Sequence, residues 1–332
     1  MRRHTVNLLL LAFLALTLSS SKSKITIFMI GDSTMANKPY ENENPERGWG
    51  MVLQGFFTDD IVVDNHAVNG RSSKSFINEG RWKAVTDLIK PGDYVFIQFG
   101  HNDEKPKEDR HTDPGSTFDA NLERFVRETR ERGGIPVLFN AVVRRNFLIQ
   151  EEKNEDDELL RNTVFSGKEK KEGDVLIDTH GDYIIAPRHV AVATGTPFVD
   201  ANRVTHDLEQ GMGREASKKL HMWFKPGEYP SMPKGREDNT HYSIYGAHVV
   251  AGLLVDEIAR QVPSLKKYVR HYDFIVAADG KGNYMNLDKA VEDAPEGKKT
   301  VIRVLNGTWK KPAKTKNKKI KLSVSENAVI KK

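Results

Sequence analysis

The chain has 332 residues, with 51 Lys or Arg, 46 Asp or Glu and no Cys. That composition excludes disulfides, thiolate metal sites and a thiol nucleophile. With 38% hydrophobic and 29% charged residues it also excludes a collagen-like, low-complexity or polytopic membrane chain. The formal charge of +5 is concentrated at one end: residues 298–332 carry 12 Lys or Arg against the single acid Glu326. Without them and the Arg2–Arg3 pair, 37 basic residues face 45 acidic ones, so the charge does not support a nucleic-acid-binding reading.

Residues 1–22 open with Arg2, Arg3 and His4 and continue into an apolar run from Leu8 to Leu18 before Ser19–Ser21. Positive charge, a short apolar core and small residues predict a secretory signal peptide, too short to span a bilayer. The alternative is an N-terminal helix packed in the core. The first reading implies a secreted or periplasmic protein with no stable membrane insertion after cleavage.

Short runs rich in Val, Ile and Phe predict buried strands at 24–30 (KITIFMI), 61–64 (IVVD), 94–99 (YVFIQF), 135–140 (IPVLFN) and 197–200 (PFVD). Phe118, Leu122, Phe125 and Val126 share one face of a helix predicted over 117–132, closed by Gly133–Gly134. Ala247, Val250, Ala251, Leu254 and Ile258 do the same over 243–260. Strands alternating with helices predict an α/β fold with a doubly wound parallel sheet, whose working residues stand on loops at the carboxyl ends of strands. Residues 150–175 are charge-dense and predict a solvated insertion. The composition changes near 270, where a strand-like piece (DFIVAA, 273–278) begins.

Four blocks occupy the loop positions: Gly31-Asp32-Ser33-Thr34, Val68-Asn69-Gly70-Arg71, Gly100-His101-Asn102-Asp103 and Asp238-Asn239-Thr240-His241. Singly they have ordinary readings. Ser33 or Asp238 would serve as a helix N-cap, Gly70 and Asn102 as turn residues, and His241 as a surface histidine. Together and in this order they resemble the SGNH (GDSL-like) hydrolase family, whose blocks carry Ser, Gly, Asn and His. The resemblance implies the flavodoxin-like three-layer fold of that family. An ester hydrolase needs an activated hydroxyl, a base and an acid that orients the base. Ser33, at a strand-to-helix turn, is expected to present its hydroxyl to solvent. His241 is the candidate base, and Asp238 is placed to orient it. The resemblance assigns the oxyanion donors to the backbone N–H groups of Ser33 and Gly70 and the amide of Asn102. Asp32 and Asp103 are expected to support their loops by hydrogen bonding. His101 invites a metal reading, but no metal-ligand spacing accompanies it.

Longer runs, among them GDSTMANKP (31–39), NHAVNGRSSKSF (65–76), GDYVFIQFGHNDEK (92–105) and GREDNTHYSIYGA (235–247), look like those of bacterial rhamnogalacturonan acetylesterases. This resemblance spans about 24–265. It implies an acetylated pectic polysaccharide as substrate, an acetyl-enzyme intermediate and no metal or organic cofactor. Arg71, Lys74, Lys105, Arg144 and Arg145 are candidates to meet galacturonate carboxylates, and Trp49, Trp82 and Trp223 to stack on sugar rings. The alternatives are a lipase-like esterase or thioesterase on the same fold, or a pectin-binding module without catalysis.

Residues 271–309 resemble the opening of a pectin methylesterase, where DGxGxY (Asp279 to Tyr284 here) precedes the first turn of a parallel β-helix. About one coil is expected, incomplete, and either packed on the esterase domain or partly disordered. The domain reading is therefore a signal peptide at 1–22, an SGNH-type esterase domain at 23–268, a truncated β-helix-like fragment at 269–309 and a basic tail without order at 310–332.

Overall fold

The structure is a computed structural model that describes residues 24–148, 161, 164, 174–313 and 317–332. The expected signal peptide lies outside these residues, as does most of the charge-dense stretch 150–175. The strands in chain order begin with β1 (Ile25–Gly31), β2 (Glu46–Arg47), β3 (Ile61–Asn65), β4 (Tyr94–Gln98), β5 (Ile135–Phe139) and β6 (Phe198–Val199). All of these except β2 form one parallel sheet in the order β3-β1-β4-β5-β6.

The sheet is apolar on both faces because successive side chains leave opposite sides of a strand. Ile27 and Met29 of β1 and Phe96 of β4 enter one buried cluster, with Leu254 and Ile258 of the helix Ile244–Gln261. Phe28 and Ile30 of β1 and Val95 and Ile97 of β4 enter a second cluster, with Phe118, Leu122 and Phe125 of the helix Thr117–Glu131. Each such side chain stabilises the fold by roughly 1.5–3 kcal/mol when fully buried. Helices thus cover both faces, and the strand order reverses at β1 and β4, where an open α/β sheet forms its ligand crevice.

β7 (His221–Phe224) and β8 (Arg236–Ser243) form an antiparallel pair, and β2 adds to the other edge of β8. Sequence pattern does not reveal β8: REDNTHYS has no apolar alternation, and its charges are buried against partners instead. The expectation of a loop at 238–241 is therefore corrected to a strand. Ser243 ends β8 and caps the following helix, its Oγ accepting from Gly246 N–H at 3.0 Å. The helix sits tightly on the end of β7: a Cβ on Gly246 would lie 1.8 Å from the Leu220 carbonyl oxygen.

β9 (Phe274–Val276), β10 (Lys299–Val304) and β12 (Lys319–Val324) stack in parallel in the order β12-β10-β9, and β11 (Gly307–Lys310) pairs in parallel with β13 (Ala328–Lys331). The chain thus passes twice through the same pair of strands, where one pass was expected. Residues 319–324 and 328–331, within the tail expected to lack order, are strands. Their lysines alternate with apolar residues, so Ile320, Leu322 and Ile330 turn toward the cluster built on Ile302 and Val304. A charge count hides that period of two.

This unit packs on the rest of the chain. Ile275, Ala277 and Leu305 belong to the same buried cluster as the helix Ile244–Gln261. Asp59 accepts from the Arg303 guanidinium at 2.5 Å and from Ser325 Oγ at 2.7 Å, and Arg47 Nε donates to the Gly280 carbonyl at 2.9 Å.

Candidate active site

Three of the four sequence blocks follow the carboxyl ends of neighbouring strands: Ser33 after β1, Gly70 after β3 and Asn102 after β4. The fourth arrives on β8. Ser33 lies in a hydrogen-bonded turn in which Met35 and Ala36 N–H both donate to the Asp32 carbonyl, at 3.3 and 3.0 Å. No helix begins there, so the expected strand-to-helix turn is corrected. Ser33, Asn102, Asp238 and His241 are also fully buried, where a solvent-facing hydroxyl was expected.

His241 Nε2 stands 3.0 Å from Ser33 Oγ, and His241 Nδ1 stands 2.7 Å from Asp238 Oδ2. With the Nδ1 proton donated to Asp238, Nε2 is left to accept from the Ser33 hydroxyl. Asp238 Oδ1 also accepts from the backbone N–H of Thr240 at 2.8 Å and of His241 at 3.0 Å. Burial raises the Asp238 carboxyl, but the adjoining His241 and its hydrogen bond outweigh that and hold it at about 2. It is therefore ionised at neutral pH. The N-cap alternative for Asp238 does not hold, because Ser243 is the cap.

Gly70 has φ +72°, in the left-handed region that glycine reaches without strain. A Cβ added there would point at the Arg110 guanidinium, 3.6 Å away. Asn102 Nδ2 donates to the Arg71 carbonyl at 3.3 Å, which sets the amide beside the Gly70 loop.

Asp103 ties these loops together. It accepts from Ser73 N–H at 3.0 Å, Ser73 Oγ at 2.5 Å, Thr112 Oγ1 at 2.9 Å and Gly100 N–H at 3.1 Å. Burial nevertheless pushes its carboxyl up to about 7. Asp32 anchors the turn that carries Ser33: Thr34 donates to it through N–H at 2.9 Å and Oγ1 at 2.8 Å. Gln98 Nε2 donates to Thr34 Oγ1, and Trp49 Nε1 to Gln98 Oε1, both at 2.8 Å. Both aspartates thus have the supporting geometry expected of them.

Two buried ionic clusters were not legible in the sequence. Glu46 meets Lys38 at 2.8 Å and both Arg236 and Arg161 at 3.0 Å, while Lys38 also donates to Asn69 Oδ1 at 2.6 Å. Burial raises the Glu46 carboxyl, but Lys38, His241 and the two arginines hold it well below the usual range. This cluster joins the Gly70 loop to β8. The second pairs Glu104 with Arg144 and with His180 Nδ1 at 2.9 Å. Against burial, those two partners hold Glu104 at about 2. His101 stacks edge-on against His180 at 4.4 Å, and burial with neighbouring positive charge drives its pKa well below the usual histidine range. No group of residues that could hold a metal ion occurs among the described residues.

Several candidates for carbohydrate contact are structural. Trp49 and Trp82 are fully buried. Arg144 is bound to Glu104, and Arg145 donates to Ser217, Asn239 and the Arg214 carbonyl. Arg71 pairs with Glu79 at the surface, and Lys74 donates to the Glu108 carbonyl. Of the three tryptophans only Trp223 is half-buried; its Nε1 donates to Asn239 Oδ1 at 2.8 Å.

Residues 29–223 match the GDSL-like Lipase/Acylhydrolase family. The rhamnogalacturonan acetylesterase RhgT of Bacillus subtilis is 37% identical over 260 residues, covering 78% of this chain and 98% of that protein. The probable rhamnogalacturonan acetylesterase YesY of the same organism is 30% identical over 233 residues, 70% of this chain and 91% of that one. The crystal structure of the Bacillus subtilis protein YxiM is similar with a TM-score of 0.55 at 24% identity, covering 72% of this chain and 57% of that one. At that identity the likeness is one of fold. No helix among the described residues is long and apolar enough to cross a membrane.

Proposed function

The chain belongs to the GDSL-like lipase/acylhydrolase family, and we propose that it is an exported carbohydrate esterase that removes acetyl groups from rhamnogalacturonan. The observation that carries the reading is the continuous hydrogen-bonded relay from Ser33 through His241 to Asp238, beside Gly70 and Asn102. The acetyl substrate is supported by the acetylesterase relatives. Export is supported by the residue pattern of 1–22.

In this mechanism His241 Nε2 takes the Ser33 proton as Oγ attacks the acetyl carbonyl carbon. The tetrahedral oxyanion is met by the N–H groups of Ser33 and Gly70 and by the Asn102 amide. Collapse breaks the ester C–O bond, His241 returns its proton to the departing sugar hydroxyl, and Ser33 keeps the acetyl group. A water molecule, deprotonated by His241, then attacks the acetyl-Ser33 carbonyl and releases acetate. Asp238 stays ionised throughout and stabilises the imidazolium. Residues 269–309 are, in this reading, a short β-helix-like fragment resembling the opening of a pectin methylesterase, and the strands at 319–324 and 328–331 stack on it in parallel.

The deciding experiment is acetate release from acetylated rhamnogalacturonan, homogalacturonan and xylan, with wild type and Ser33→Ala side by side. Release from rhamnogalacturonan alone, lost in the variant, is the expected result. Release that persists in Ser33→Ala would remove the nucleophile assignment. Equal release from all three polymers would widen the substrate to acetylated glycans in general, and a preference for long acyl chains on synthetic esters would favour a lipase-like enzyme.

A further inference from the structure

A cleft of about 770 Å³ opens where the β7–β8 hairpin meets the C-terminal unit. Its walls are aromatic from both sides. Trp223, Tyr229 and Tyr245 contribute from the esterase part, and Tyr272, Phe274 and Tyr284 from the C-terminal unit. We propose that this cleft is an accessory binding site for a short uronic-acid-containing oligosaccharide, separate from the Ser33 centre. The inference rests on the reading of the chain as an enzyme of pectic polysaccharides.

Its size falls within the 300–1,000 Å³ typical of small-ligand sites, so it suits a few sugar rings. The axial C–H hydrogens of a pyranose are polarised positive by the ring oxygens and face the negative surface of an aromatic ring. Tyr245 is 48% exposed at the rim, and Phe274 and Tyr284 pack as a tilted pair at 4.9 Å on the opposite wall. A sugar chain laid between them would have aromatic surface on both sides. Lys219, also at the wall, holds its ammonium 5.0 Å from the Tyr245 ring and supplies a cation for a uronate carboxylate. Asp273 at the wall is already engaged, accepting from Val301 N–H at 2.8 Å. Burial lowers the His248 imidazole to about 4, so at neutral pH it lines the cleft as an uncharged polar group.

The cleft needs both units. The cleft also adjoins the catalytic strand: Ser243 lines it two residues after His241, and Trp223 holds Asn239 next to Asp238. An oligosaccharide bound here would keep the polymer beside the esterase during successive deacetylations.

The test uses the full chain carrying Ser33→Ala, titrated calorimetrically with de-acetylated rhamnogalacturonan oligosaccharides and with neutral xylo-oligosaccharides. Tyr245→Ala and Phe274→Ala are each expected to weaken binding about tenfold. Lys219→Gln is expected to weaken binding of the acidic ligand only. In the Ser33 background, hydrolysis of p-nitrophenyl acetate by each cleft variant should equal wild type, while KM for the acetylated polymer rises. Absence of binding by de-acetylated oligosaccharides, or unchanged affinity in the ring variants, would overturn the proposal. Should Phe274→Ala fail to fold, the rim residue Tyr245 decides alone. A chain that binds at the cleft yet keeps its esterase activity after loss of Ser33 would instead refute the catalytic reading, so the two failures are distinguishable.

Discussion

Ser33 Oγ and His241 Nε2 stand 3.0 Å apart although 208 positions of sequence separate them. The contact exists because β1 ends between β3 and β4 in the parallel sheet and β8 brings His241 to it from a different, antiparallel one. The strand β8 is in turn held by Glu46, which binds Arg236 on β8 and, through Lys38, Asn69 beside Gly70.

Replacing either end of that contact should abolish turnover while leaving the fold intact. Ser33→Ala and His241→Ala are expected to lower kcat on p-nitrophenyl acetate by about four orders of magnitude or more. The double variant should be no worse than the worse single one, because the two groups act as one unit. Additive losses would break the pairing.

Asn102 tests the oxyanion site separately. Asn102→Ala is expected to lower kcat by about 10²–10³-fold with KM little changed, because the proposed oxyanion role acts on charge that develops only in the transition state. A rise in KM at constant kcat would assign Asn102 to ground-state binding.

Acid should destabilise the fold through Asp238 and Glu104, both held at about 2 by their partners. A carboxyl whose folded pKa is depressed contributes stability above its unfolded value, near 4, that is lost as pH falls toward 2. Each contributes roughly 2–4 kcal/mol over that window. Denaturant midpoints should therefore fall steeply below about pH 4, and Asp238→Asn should flatten that fall. An unchanged acid slope in the variant would contradict the lowered Asp238 carboxyl.

Asp103 should act in the opposite direction. Its folded pKa, pushed up to about 7 by burial, means that the folded state holds a proton the unfolded chain has already lost. Stability from this group accordingly declines as pH rises from about 4 through 7, by up to about 4 kcal/mol. Asp103→Asn keeps a side chain of the same shape and should remove that decline. A midpoint that falls as before between pH 4 and 7 in the variant would count against it.

Asp59 should report on docking of the C-terminal unit. Asp59→Ala deprives the nearly buried Arg303 and Ser325 of their acceptor, and is expected to cost about 1–3 kcal/mol. Exchange protection should drop first in β9, β10 and β12. A loss confined to the main parallel sheet would show that the unit is held by other contacts.

The strands of the main sheet were readable because they are apolar on both faces: KITIFMI and YVFIQF carry their burial in their composition. The blocks holding Ser33, Gly70 and Asn102 were likewise readable at strand ends, whereas that of Asp238 and His241 lies within β8. Legibility failed where charge is paired instead of solvated. Arg144, Arg145 and Lys105 read as cations for substrate carboxylates, yet all three are buried, and Arg144 and Arg145 are bound to residues many positions distant. Lys319 and Lys321 obscured the strand at 319–324, whose apolar residues are merely every second one.

By itself the sequence determined which residue types follow which strands, because hydrophobic period and turn chemistry are local properties. The tertiary structure alone decided that Asp238 and His241 sit on a strand, that Ser33 is buried, that Glu46 and Glu104 organise the cations around the site, and that two units close an aromatic cleft. Those are long-range pairings, and no local pattern encodes the distance between residues that fold onto one another from opposite ends of a chain.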